Sequence, residues 1–74
     1  MTIETKYNIG DEVFWVSSST YIGGVVEYGE IHCEFNQRGV GITERYTIRS
    51  YDDVLYVKEA EDLDSMNNEV KKIL

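Results

Sequence analysis

The chain has 74 residues, with Lys+Arg 7 against Asp+Glu 14, one Cys, one His and no Pro. That length allows one domain with a thin core, because a chain of this size buries only about 60–65% of its unfolded surface. One cysteine excludes an internal disulfide framework, and a net charge of −7 weighs against direct nucleic-acid and anionic-membrane binding.

An aromatic content of 12% sets the chain apart from an acidic disordered tail. Residues 1–20 carry no apolar run of signal-peptide length. No stretch approaches the roughly 18 apolar residues of a membrane span. A cytoplasmic single domain over 1–74 is therefore expected, in the host cytosol if a phage encodes the chain.

Residues 1–8 read as a leader that joins an edge strand or frays. Ile9-Gly10-Asp11-Glu12 is a turn, and Val13-Phe14-Trp15-Val16 behind it is a strand start. Trp15 shares parity with Val13 and is expected in the core. Ser17-Ser18-Ser19 is a polar break. Thr20 to Phe35 is the longest strand-like region, interrupted by Gly23-Gly24 and Gly29, which suggest bends or bulges. Within it Ile31, Cys33 and Phe35 alternate with His32 and Glu34 at a period of two.

Asn36 to Gly39 is a hairpin turn, with Gly39 supplying positive φ. In the next strand Val40, Ile42, Tyr46 and Ile48 share one parity and are expected to face inward. Thr43, Arg45, Thr47 and Arg49 share the other, and Glu44 alone spoils the apolar face. Ser50 to Asp53 is a turn and Val54 to Val57 a short strand. The period then changes: Met66, Val70 and Ile73 have helix spacing, giving a C-terminal helix over 65–73. Ser65 is its expected N-cap, and Lys71 and Lys72 suit its C-terminal end.

Four or five short, Gly-broken strands and one helix predict a mainly β domain. A small, strongly curled antiparallel sheet, closing toward a partly open barrel, leaves the least exposed edge.

Tyr7-Asn8-Ile9-Gly10-Asp11-Glu12-Val13-Phe14-Trp15 resembles the opening of small SH3-like barrels, where an apolar residue, Gly-Asp, any residue, Val and aromatics follow one another. Gly24-Val25-Val26 resembles their second strand. Tyr46-Thr47-Ile48, then Asp53 to Glu59 and Asp62-Leu63, is similar to the closing strand of short phage and bacterial proteins of this type. In those a brief helix follows a Ser or Thr, as Ser65 stands here. The resemblance spans roughly residues 7–70 and implies an SH3-like barrel. It carries no shared chemistry, so no functional residue is transferred from it.

His32 and Cys33 are the one nucleophile-and-base pair in the chain. Adjacent on a strand, they point to opposite faces, whereas a dyad needs hydrogen-bond reach. Cys33 is instead expected in the core beside Ile31 and Phe35, with His32 on the surface. Ser17-Ser18-Ser19 has no neighbouring base. Zinc would need several Cys or His. Asp62-x-Asp64 starts like a calcium loop but lacks its later ligands. Gly23-Gly24 and Gly39-x-Gly41 lack the Lys-Ser/Thr of a phosphate loop. No catalytic residue, metal or cofactor is expected.

Two features remain. Asp52, Asp53, Glu59, Glu61, Asp62 and Asp64 lie within 13 residues, opposed only by Lys58, and hold most of the net charge. Such a run is either a solubilising face or a surface that docks a basic partner. Tyr7, Tyr21, Tyr28 and Tyr51 sit near turns or bends, where tyrosine combines contact area with a polar tip, and Tyr21, Tyr28 and Tyr51 are the expected partner-binding ones.

The leading expectation is a noncatalytic acidic protein-binding module. Its partner would be a basic surface of a host or phage protein. The resemblance to phage proteins extends this to an inhibitor of a host nucleic-acid-handling or defence protein, acting as a DNA mimic. The alternative is an oligomer that sequesters a nucleotide, with aromatics for stacking and Arg38, Arg45 and Arg49 for phosphates. A third reading, single-stranded nucleic-acid binding on aromatic platforms, is disfavoured by charge.

Overall fold

A computed structural model describes residues 4–74; of the leader, Met1, Thr2 and Ile3 lie outside the described residues. Five antiparallel strands form one open sheet: β1 (Glu12–Ser17), β2 (Thr20–Asn36), β3 (Gly39–Ser50), β4 (Leu55–Glu59) and β5 (Asp64–Ser65). Their order is β4-β3-β2-β1-β5, so β4 and the two-residue β5 occupy the edges. A single 3-10 turn, Ala60–Asp62, links β4 to β5, and α1 (Asn68–Ile73) ends the chain.

The core follows from strand register. Val13 stands opposite Gly24, Trp15 opposite Ile22, and Val26 opposite Ile48. Directly opposed residues project from the same face of a sheet. Val13, Trp15, Val26, Tyr46 and Ile48 are all buried there, with Leu63 from beyond the 3-10 turn. Gly24 is needed in this layer, because a Cβ on it would run into the backbone carbonyl of Arg49. Trp15 and Tyr56 meet edge to face at 5.1 Å between ring centroids.

Residues 4–8 of the leader form no strand, and Tyr7 is a core residue. The Tyr7 ring packs edge-on to Tyr46 at 5.4 Å. Its hydroxyl donates to the Leu63 carbonyl at 2.9 Å, and its backbone N–H donates to the Tyr46 hydroxyl at 3.2 Å. The Tyr46 hydroxyl in turn donates to Glu44 Oε2 at 2.7 Å. Glu44, out of place on an apolar face, thus accepts from the phenol beside it.

Where β2 passes Glu27 the register slips by one residue: Val26 pairs with Ile48, yet Tyr28 pairs with Thr47. A bulge of this kind inserts one unpaired residue. It moves the core-facing set of β2 from even numbers to odd. Beyond it Ile31, Cys33 and Phe35 continue the core face, opposite Glu44, Ile42 and Val40.

Among the described residues none covers that continuation. Ile31, Cys33, Phe35, Val40 and Ile42 are exposed, which corrects the expected core positions of all five. Tyr46 and Ile48 face inward as expected, while Arg45 stays exposed and Arg49 only half-buried. The reason is length: β2 and β3 outrun β1 and β4, and their distal halves form a free two-stranded arm. The arm stretches the molecule to 46 × 27 × 21 Å. The radius of gyration is 13.9 Å, against about 11 Å for a compact chain of this length.

The helix also differs from expectation. Asn67, not Ser65, is the N-cap, its side-chain oxygen accepting from the Val70 N–H at 2.9 Å. Ser65 is taken by β5, opposite Val13. Of the expected docking residues Val70 is buried and Met66 partly so, while Ile73 is exposed. Met66 and Leu74 instead close over Gly23, where an added Cβ would lie 2.6 Å from Met66 Cε and 2.7 Å from Leu74 Cδ1.

Candidate functional site

The six carboxylates are clustered in sequence but divided in space. Asp52 and Asp53 lie in the β3–β4 turn, and Glu59, Glu61 and Asp62 lie at and beyond the far end of β4. Five residues of strand between them span about 16 Å. Asp64 sits on the opposite edge of the sheet, on β5 facing Phe14. Two of the six are also neutralised locally. Asp53 accepts from Arg49 Nη1 at 2.8 Å, and Glu59 lies 3.8 Å from Arg45 Nε. Asp52, Glu61, Asp62 and Asp64 have no ion-pair partner among the described residues.

The tyrosines divide as well. Tyr28 stands beside the bulge, half exposed, away from the other two. Tyr21 and Tyr51 are brought together. Tyr21 is the second residue of β2, just past the β1–β2 turn, and the β3–β4 turn carries Tyr51 and Asp52; both turns lie at the same end of the sheet. Between them runs an open groove of about 380 Å³, lined by Tyr21, Ile22, Tyr51, Asp52, Tyr56 and Leu74. Three of the nine expected partner-binding residues, Tyr21, Tyr51 and Asp52, therefore share one concavity.

Each wall of the groove is held from behind. Tyr21 packs edge to face on Phe14 at 5.8 Å, and Tyr56 is braced by Trp15. Tyr51 donates its hydroxyl to Glu12 Oε2 at 2.6 Å, and its N–H donates to the Gly23 carbonyl at 3.1 Å. Partial burial, followed by the bond to Glu12, pushes the Tyr51 phenol up to about 12. The phenol therefore stays a neutral donor across physiological pH. The backbone is bent sharply on both sides of the groove: Ser18 and Ser19 in one turn and Asp53 in the other have φ between 50° and 65°.

What the groove offers is aromatic faces, phenol hydroxyls and one unpaired carboxylate. It brings no nucleophile next to a base. His32, far out on the arm, contacts Glu30 at 3.1 Å and not Cys33. The three arginines do not converge: Arg45 faces Glu59, Arg49 is held between Glu27 and Asp53, and Arg38 stands in the hairpin turn at the tip of the arm. Among the described residues no three His, Cys, Asp or Glu are grouped to hold a metal ion. No helix among them is long and apolar enough to cross a membrane.

Tyr56 and Leu74 are groove residues that periodicity did not single out. Tyr56 lies mid-strand, and Leu74 follows the last helical turn, so neither bears a local mark of a surface role.

No family model matches this chain, and neither the curated proteins nor the solved structures include a match to it.

Proposed function

We propose that this chain is a noncatalytic protein-binding module that docks a basic partner at the Tyr21–Tyr51–Asp52 groove. One observation carries the reading: the start of β2 and the β3–β4 turn, far apart in sequence, bring two partly exposed tyrosines and a carboxylate with no ion-pair partner among the described residues around one open concavity. Tyrosines braced by neighbouring rings give large contact area at small entropic cost, as interface anchors do. A Lys or Arg side chain laid across the Tyr21 and Tyr51 faces would meet Asp52 at its charged end, combining cation–π and ion-pair attraction. The net charge of −7 adds long-range steering toward a basic surface.

The acidic balance supports a narrower form of the reading, an inhibitor that covers a basic nucleic-acid-handling or defence protein of a host cell. The sheet itself is proposed as a curled, partly open SH3-like arrangement. Its support is the order β4-β3-β2-β1-β5 with a 3-10 turn before the last strand, together with the sequence resemblance.

The test is Asp52→Lys. Asp52 is exposed and unpaired, so the fold should be unchanged while association with the basic partner falls by tenfold or more. Unchanged association would remove the groove from the interface.

A further inference from the structure

We infer that the free β2–β3 arm is a self-association device, on which a second copy of this chain packs face to face and antiparallel. The arm continues the core face of the sheet, yet no described residue of its own chain covers it. Phe35 is 82% exposed, Val40 70%, Ile42 68% and Ile31 41%, with Cys33 exposed between them. These side chains alternate with Glu30, His32 and Glu34 on the other face, so the apolar strip is one-sided.

The area fits a dimer. Taking roughly 150–200 Å² for a fully exposed side chain of this size, the strip presents about 450 Å² of apolar surface. A standard interface buries about 800 Å² per partner, of which about 56–65% is apolar. The strip alone thus supplies the apolar share of one complete half-interface.

Charge selects the antiparallel arrangement. The tip of the arm carries Arg38, which has no ion-pair partner among the described residues. The base carries Glu44 on the apolar face, with Glu61 lining the same hollow beside Ile42; Glu59 there is already paired with Arg45, and Lys6 is the one cation in that lining. A two-fold axis at the level of the Glu34–Gly41 pair sets Cys33 and Ile42 of one copy over Phe35 and Val40 of the other. The same axis brings each Arg38 to the acidic base of the opposing arm. Two-fold contacts of this kind are isologous and self-limiting, so the product is a closed dimer.

Faces of packed sheets lie about 10 Å apart. That exceeds the 4.4–6.8 Å Cα separation of a disulfide, so the two Cys33 thiols are near each other but not bonded. A short bis-maleimide should bridge them.

The experiment is sedimentation of the full chain, with bis-maleimide crosslinking. Interfaces of this size reach micromolar affinity or better, so at about 50 µM the chain should sediment as a dimer. Cys33 should crosslink to Cys33. Phe35→Glu should give a monomer with unchanged circular dichroism, and Val40→Lys should repeat the result. Arg38→Glu should weaken the dimer at least tenfold. A monomeric chain at that concentration overturns the proposal, leaving the strip to a different protein. So does a dimer that survives both Phe35→Glu and Val40→Lys, which would place the contact on another surface such as the β4 edge. The groove variant Asp52→Lys should leave the dimer intact, so the two proposals fail separately.

Discussion

The Tyr51 hydroxyl donates to Glu12 Oε2 at 2.6 Å, tying the β3–β4 turn to the first residue of β1. Lys71 Nζ, 3.4 Å from the same carboxylate oxygen, brings the C-terminal helix to the same point. The bond from Tyr51, then Lys71, holds the Glu12 carboxyl below the usual range.

The pH dependence follows from these two groups. A depressed carboxyl contributes stability above its ordinary value near 4.3, and that contribution is lost as pH falls through the folded value. A raised phenol contributes stability below pH of about 10, and that is lost as pH rises through the folded value of about 12. Tyr51→Phe should flatten both limbs of the urea midpoint plotted against pH. In Glu12→Gln one of two late-titrating phenols should move toward about 10 in the tyrosinate absorbance. The other is Tyr46, raised first by burial and second by its bond to Glu44. An unmoved titration would mean the Tyr51–Glu12 bond is not formed in solution.

The helix cap separates two neighbouring candidates. Asn67→Ala should cost about 1 kcal/mol, because the Val70 N–H loses its acceptor. Ser65→Ala should cost less than about 0.5 kcal/mol, as an exposed position without a cap bond. Urea denaturation of the two variants decides. Equal losses would place the helix start where the side-chain pattern alone put it.

Gly24→Ala should destabilise by about 2 kcal/mol or more, since its Cβ would meet backbone that cannot step aside. Gly41→Ala is the control. Its Cβ would enter open space on the polar side of the arm. It should be neutral or stabilising by up to about 1 kcal/mol. A tolerated Gly24→Ala would mean that β2 and β3 are farther apart than described.

The β1–β2 turn holds two non-glycine residues at positive φ, Ser18 at 50° and Ser19 at 65°. Two-residue hairpin turns of this shape favour Asn-Gly. Ser18→Asn with Ser19→Gly should therefore stabilise the chain by about 1 kcal/mol, read as a raised urea midpoint. A lowered midpoint would show that the serines make contacts which offset their backbone cost.

The strands were legible because β-branched and aromatic residues alternate and are punctuated by Gly, Ser and Asp. What covers each face was not. Ile31, Cys33 and Phe35 have the same period as a buried strand, and only the number of remaining elements decides whether anything lies over them. Here β1 and β4 are too short to reach. The bulge did leave a trace: apolar residues switch from even (Ile22, Val26) to odd (Ile31, Phe35), which demands one extra residue between. Ser65 and Asn67 are both cap-forming types two residues apart, and pairing of Ser65 with Val13 decides between them. The groove joins turns some thirty residues apart in sequence. Tyr21, Tyr51 and Asp52 were recognisable as surface residues, but their meeting depends on strand order, which no local pattern encodes.

The groove is proposed to dock a basic protein. The most direct measurement of this is quantitative capture from the cells that make this chain, with wild type and Asp52→Lys as parallel baits at physiological salt. Wild type should recover a protein with a basic surface, Asp52→Lys should lose it by tenfold or more, and added salt should slow its association. Recovery of the same protein in equal amount by both baits, or of none by wild type, would mean that the groove docks no basic partner.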